Sequence, residues 1–274
     1  MAESEGVSVI FGQATDVLVA GAGPVGLALA VDLGLRGVKT CVVESRDRSR
    51  LVPRAKLTNV RNMEHMRRWG IADAVRSASP LPAAYSTDIA FVTSLLGREI
   101  TRFSNVFYTQ LARDDRFAEA AQQIPQYVLE PVLRRRAEEL GSVTFVDGWS
   151  VCGASQDADG VVVSMSAGED APVRRIRARY LVGCDGAGST VRRELGVELV
   201  GVRSIARNYG VVFRSAELGR RLPFARALHF WTVNAATPSY MGPADAADLW
   251  WLQATAVPPD VEMDALDPVE VVHG

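Results

Sequence analysis

The sequence predicts an α/β fold: a parallel βαβ core extended by a β-meander, followed by a second domain of antiparallel sheet. Three observations predict it. A short β-branched apolar run, Val17-Leu18-Val19-Ala20, leads into a Gly-rich turn and a helix-forming run that stops near Gly37. A second apolar run, Cys41-Val42-Val43, follows and ends on an acid, Glu44. Beyond residue 140, short strand-like segments separated by turn residues replace the alternation of strand and helix, the pattern of antiparallel pairing.

The first turn reads Gly21-Ala22-Gly23-Pro24-Val25-Gly26. With its strand, helix and terminal acid it fits the roughly 30 residues of a dinucleotide-binding βαβ unit, a Rossmann-like arrangement. Gly21 permits the tight turn, Gly23 lets the backbone approach a pyrophosphate, and Gly26 lets helix and strand pack closely. Pro24 suits the first helical turn, where its missing donor is not needed. The helix N-terminus offers unpaired N–H groups to phosphates. Glu44 can accept hydrogen bonds from adenosine ribose hydroxyls and would repel a 2′-phosphate. The apolar stretch Val17–Leu35 is no membrane span, because Asp32 and four glycines interrupt it.

A chain of 274 residues with 48% hydrophobic and 23% charged content has room for one large or two modest globular domains. Its net charge of −2 gives no electrostatic reason to expect nucleic acid or an anionic membrane as partner. The acidic start Met1-Ala2-Glu3-Ser4-Glu5 lacks the basic region of a signal peptide. Cys41, Cys152 and Cys184 are odd in number and widely spaced, so buried reduced thiols and a cytoplasmic location are expected. His65, His229 and His273 share no metal-ligand spacing, and no metal site is expected.

After Glu44 comes a basic loop with Arg46, Arg48, Arg50 and Arg54, closed by Pro53. A helix is expected from Asn59 to Trp69, with Val60, Met63 and Met66 on one stripe, Gly70 as its stop and His65 on the solvated side. Pro80 and Pro82 break the chain before strands at Ile89–Val92 and Glu99–Phe103. Helices are expected over Asp114–Gln123 and Gln126–Leu140, the second with Arg134, Arg135 and Arg136 largely toward solvent. A meander follows at Val143–Phe145, Val161–Met165 and Arg174–Arg179, with a turn at 157–160. After Gly201, strands are expected at Tyr209–Phe213, Leu228–Val233 and Trp250–Ala254. His229, Trp231 and Tyr240 fall in that sheet and are read as packing residues.

The second informative stretch is Cys184-Asp185-Gly186-Ala187-Gly188-Ser189, with Arg192 in the short helix after it. A strand that delivers an Asp into a Gly-rich turn can approach a phosphate or a ribityl chain. No second GxGxxG occurs, so a separate nicotinamide-binding Rossmann domain leaves no mark.

These residues together resemble a known family, the single-component FAD-dependent aromatic hydroxylases of the p-hydroxybenzoate hydroxylase and phenol hydroxylase type. The resembling pieces are Gly21–Leu27, Glu44, Pro53-Arg54-Ala55, Gln126, Cys184–Ser189 and Arg192. The resemblance implies an FAD-binding Rossmann-like domain with a β-meander, and an antiparallel-sheet substrate domain. It implies cofactor contacts from Gly21, Ala22, Gly23, Pro24 and Gly26, with Glu44 and Ser45 at the ribose. Arg46 and Arg54 would hold the phosphate or flavin side, and Gln126 the linker. Asp185, Gly186, Ser189 and Arg192 would serve FAD and a transient NAD(P)H. Such an enzyme hydroxylates a phenolic or polyketide-like aromatic molecule with molecular oxygen through a flavin hydroperoxide. The cofactor carries that chemistry, so no catalytic side chain is nominated.

The implied domains are 1–78 with 108–200 for FAD and 79–107 with 201–274 for substrate, the latter incomplete at its C-terminal end. The family's third FAD segment, a Gly-Asp pair followed by a Gly-rich turn and helix, has no match after Gly201. Gly242-Pro243-Ala244-Asp245 is the nearest approach. A truncated or split enzyme is therefore expected, with a complementing chain or a homo-oligomer as its possible complement. Trp250, Trp251 and Leu252 would then lie at an exposed sheet edge. The alternatives are a non-catalytic fragment of such an enzyme, or a flavin reductase of isoprenoid chains.

Overall fold

The computed structural model describes residues 14–45, 55–168, 170–202, 205–235 and 238–273. Along the chain run β1 (Thr15–Ala20), α1 (Pro24–Gly34), β2 (Thr40–Glu44), β3 (Leu57–Thr58), α2 (Val60–Arg68) and α3 (Ala72–Ala78). Then come β4 (Ile89–Val92), β5 (Glu99–Phe103), β6 (Gln122–Gln123), α4 (Gln126–Glu138), β7 (Val143–Asp147), β8 (Ser150–Asp157), β9 (Gly160–Ser166) and β10 (Arg174–Gly183). The remainder is α5 (Thr190–Glu194), β11 (Tyr209–Arg214), α6 (Leu218–Arg221), β12 (His229–Thr232), β13 (Ser239–Pro243), β14 (Leu249–Ala254) and α7 (Pro268–His273).

Two compact units result: the described residues of Met1–Arg50 with Glu130–Val200, and those of Leu51–Leu129 with Gly201–Gly274. The expected boundaries differ from these, because 55–78 and 108–129 group by contact with the second unit.

The first unit is built on a six-stranded sheet of order β7-β2-β1-β10-β9-β8. β7, β2, β1 and β10 run parallel, while β9 and β8 add the antiparallel meander. β2 is buried along its whole length, as a parallel strand covered on both faces must be. That explains its unbroken apolar run before Glu44. α1 buries Gly26, Leu27, Ala30, Val31 and Gly34. Gly34 is required there, since a β-carbon on it would stand 2.6 Å from Val143 and 2.8 Å from Leu140. Leu18, Cys41, Val43, Val146, Trp149, Val163, Met165, Ile176 and Ala178 pack into one core. Burial pushes the Cys41 thiol up to about 11, only partly offset by its hydrogen bond with Thr144.

The second unit carries a six-stranded sheet of order β11-β14-β13-β12-β4-β5 and a small β3-β6 ladder. Its neighbours pair antiparallel, except that β12 runs parallel to β4. One face packs Ala90, Val92, Phe230, Met241, Trp250 and Leu252 into a core. By strand alternation the other face presents Phe91, His229, Trp231, Tyr240 and Trp251.

Several sequence expectations are corrected here. Residues 114–121 form turns and bends rather than a helix, and the segment ends in β6, paired with β3. The Asp114 carboxylate accepts from the Arg116 amide at 3.0 Å, a local bond that competes with helix formation. Cys152 is exposed, because β8 turns it to the wet side of the meander. His65 stacks on Trp69 at 5.7 Å instead of being merely solvated. Trp250, Trp251 and Leu252 are buried, because β14 lies inside the sheet between β11 and β13. Gly242–Asp245 is a hairpin: the Asp245 carboxylate gathers the amides of Ala247, Asp248 and Leu249 between β13 and β14. No helix among the described residues is long and apolar enough to cross a membrane.

Candidate functional site

β1 leaves its sheet toward β2 on one side and has β10 on the other. The carboxyl ends of β1 and β10 therefore form a topological switch point, where open parallel sheets place ligand crevices. Both Gly-rich turns sit there. The Cys184 amide donates to the Ala20 carbonyl at 2.8 Å, and the Gly21 amide donates to the Val43 carbonyl at 2.7 Å.

Gly21 has φ +102°, and a β-carbon on it would stand 2.5 Å from the Cys184 carbonyl oxygen. A β-carbon on Gly26 would collide with the Gly21 carbonyl oxygen. The turn is thus closed tightly on itself, with no room for side chains at these two positions. Gly23 caps α1 in an extended conformation, Pro24 opens the helix, and no side chain caps this end. The first-turn amides keep their donors, which suits an anion.

Glu44 is buried at 4% exposure, and its Oε2 accepts from the Ala22 amide at 2.8 Å. The carboxylate therefore orients the turn as well as carrying negative charge beside it. Ser45 follows it and is exposed. Arg46 and Arg54 lie outside the described residues.

Asp185 is committed to its own turn. Its carboxylate accepts from the Ser189 hydroxyl at 2.5 Å and from the amides of Thr190 at 2.7 Å and Val191 at 3.2 Å. Burial opposes its ionisation, but these bonds prevail and hold its pKa below the usual carboxylate value. Ser189 in turn caps α5 by accepting from the Arg192 amide at 3.0 Å. Gly186 adopts φ +82°, which reverses the chain. The Arg192 guanidinium donates to the Val197 carbonyl at 2.9 Å, while its shielded Nε has no partner among the described residues.

Gln126 opens α4 in the second unit and is half-buried; its amide donates to the Ala55 carbonyl at 2.9 Å. The fold thus brings Gly21–Gly26, Glu44 and Asp185–Arg192 together within the first unit, and Gln126 belongs to the other unit. Among the described residues, no cluster of three or more His, Cys, Asp or Glu side chains is arranged to hold a metal.

Sequence reasoning missed Lys56, and it read His229 as a packing residue of the sheet, which is where the structure places it. Lys56 Nζ lies 3.8 Å above the Trp251 ring, and burial lowers its pKa to about 8. His229 is held between Phe107 and Trp251, with centroid distances of 4.9 Å and 4.8 Å. Burial, then the charge of Lys56, lowers its pKa to about 4. The available signal for Lys56 was its place directly after the Pro53-Arg54-Ala55 motif.

This fold and this paired-turn site define a nucleotide-binding flavoprotein class, and comparison with known proteins identifies the family. The chain matches the FAD binding domain family over residues 14–266 and belongs to it. It is 30% identical over 272 residues to the FAD-dependent monooxygenase apdD of Emericella nidulans, covering 94% of this chain and 43% of that protein. It is 32% identical over 231 residues to the 2,4-dichlorophenol 6-monooxygenase of Delftia acidovorans, covering 80% and 38%. Aklavinone-11 hydroxylase, solved with FAD and aklavinone, superposes with a TM-score of 0.83 at 28% identity, covering all of this chain and 50% of the other. The chain thus spans less than half the length of these curated relatives.

Proposed function

We propose that this chain is the FAD- and substrate-binding part of an NAD(P)H-dependent monooxygenase that hydroxylates a phenolic or polyketide-like aromatic molecule with molecular oxygen. The observation that carries the reading is the pairing of two Gly-rich turns at the β1/β10 switch point, in a chain of the FAD binding domain family.

The residues present fit the cofactor. Gly21, Ala22, Gly23, Pro24 and Gly26 form a tight turn at the start of α1, whose end no side chain caps, so its main-chain amides suit a pyrophosphate. Glu44, with Ser45 beside it, accepts from the ribose hydroxyls. Arg46 and Arg54 pair with the phosphates or the flavin side, and Gln126 contacts the linker. Asp185 and Ser189 hold the second turn in shape, so that Gly186 and Arg192 meet FAD and the transient NAD(P)H. When bound, FAD supplies the redox chemistry with oxygen; the protein's part is to bind, orient and exclude water. The aromatic face of the second unit receives the substrate. The relatives named for dichlorophenol and aklavinone act on or hold aromatic rings, which supports this class of substrate. The proposed location is cytoplasmic, with a complementing chain or a second copy as partner.

The test is reconstitution with FAD, followed by NAD(P)H oxidation and oxygen uptake with and without a phenolic compound. Stimulation by the phenol is expected. FAD binding without any aromatic-stimulated oxidation would leave a flavin-binding fragment and remove the hydroxylase reading.

A further inference from the structure

The aromatic face of the second unit contains one histidine whose hydrogen-bonding capacity is unused. Both ring nitrogens of His229 are shielded from water, and neither has a hydrogen-bond partner among the described residues. A neutral imidazole carries one donor and one acceptor, and leaving both unmet in a shielded place is destabilising. Its polar neighbours on the same face are satisfied. The Tyr240 hydroxyl donates to Gln253 Oε1 at 3.2 Å, and Trp251 Nε1 donates to the Pro243 carbonyl at 3.2 Å.

A cation stands beside this histidine, since the Lys56 ammonium lies over the Trp251 ring that His229 contacts. Flat apolar surface continues from there: Tyr240 stacks on Trp231 at 5.0 Å, and Trp231 on Phe91 at 5.8 Å. Phe107, which contacts the other side of His229, is flanked by Asn105 at φ +52° and Tyr108 at φ +57°. Left-handed conformations at non-glycine residues are strained and concentrate at ligand sites. Thr109 Oγ1, just after the same loop, and Gln123 Oε1, in the β3-β6 ladder next to Lys56, are likewise shielded and without partner among the described residues.

We infer that His229 and Lys56 recognise the ionisable hydroxyl of an aromatic ligand, whose ring lies on the Trp231–Tyr240 face. The imidazole supplies a hydrogen bond to the ring oxygen, and the ammonium pairs with it as phenolate. The assignment deepens the function proposed above and rests on it only for the ligand's being a substrate; the recognition itself involves the second unit alone.

The probe is 4-nitrophenol, titrated against the 274-residue chain, with absorbance reporting the fraction bound as phenolate. The wild-type chain should bind it enriched in phenolate. His229→Phe, which keeps a ring of similar size, and Lys56→Met, which keeps the stem, should each bind about tenfold more weakly. Lys56→Arg should retain binding. 4-Nitroanisole, which lacks the hydroxyl, should bind all four proteins alike. The inference is overturned if the wild-type chain fails to bind 4-nitrophenol, if His229→Phe and Lys56→Met bind it unchanged, or if they lose 4-nitroanisole equally. FAD titrations on the same preparations separate the two readings. A wild-type chain that binds the phenol through this pair but takes no FAD sinks the flavoprotein function and leaves the pair standing.

Discussion

Gly21 and Cys184 meet at the carboxyl ends of adjacent parallel strands, so closely that a β-carbon on Gly21 would stand 2.5 Å from the Cys184 carbonyl oxygen. The first Gly-rich turn is therefore shaped by the second, through main chain rather than side chains. Any side chain at Gly21 must push two strand ends apart in a region where Leu18, Val19 and Ala20 are fully packed.

Gly21→Val and Gly26→Val should each lower stability by about 1–3 kcal/mol or prevent folding, through overpacking and, at Gly21, an unfavourable φ. Gly141→Ala is the control, because nothing lies within 4 Å of its added β-carbon. Chemical denaturation of the three variants checks this; equal stability of Gly21→Val and Gly141→Ala would show that the turns are not packed as described.

Asp185→Asn should cost about 1 kcal/mol, by weakening the bonds to the Ser189 hydroxyl and the Thr190 and Val191 amides. Its pKa is lowered in the folded chain, so its stabilising effect is full above the unfolded value and is lost as pH falls through the lower folded one. The gap between wild type and variant should therefore be present at neutral pH and shrink below about pH 4. Denaturation curves at several pH values would show it.

Lys56 and His229 predict a dependence with the opposite chemistry but one sign. Each binds its proton less well in the folded chain, with pKa values of about 8 and about 4. The unfolded chain then holds more protons from about 8 to the ordinary lysine value, and from about 4 to the ordinary histidine value, so stability rises with pH across both windows. Lys56→Met should flatten the alkaline rise and His229→Phe the acid one. Unchanged slopes in thermal melts would show that neither side chain is desolvated.

The parallel core was legible because its signal is local. Val17–Ala20, the glycines and Cys41–Glu44 each meet a requirement that a single segment must satisfy, and the second turn at Asp185 repeats that logic. The segments missed are those decided by distant partners. β6 exists because Gln122 and Gln123 meet Thr58 and Leu57. β13 is a strand in spite of its Gly242 and Pro243, because it pairs with β12 and β14, and the Leu228 carbonyl fills the space that a side chain at 242 would need. The orphaned imidazole of His229 was hidden for the same reason. A histidine in an aromatic run reads as packing until its neighbours, Phe107 and Trp251, are known to offer it no polar atom.

The most direct test of the central claim is an equilibrium titration of the chain with FAD, comparing wild type with Glu44→Gln. Glutamine keeps an oxygen for the Ala22 amide, so the turn survives, but it removes the charge that the proposed ribose contact requires. Saturable binding by the wild type, with affinity about tenfold weaker in the variant at unchanged melting temperature, is the predicted result. Equal affinity in the two proteins, or no saturable binding by the wild type, would contradict the assignment of the β1/β10 switch point as the FAD site.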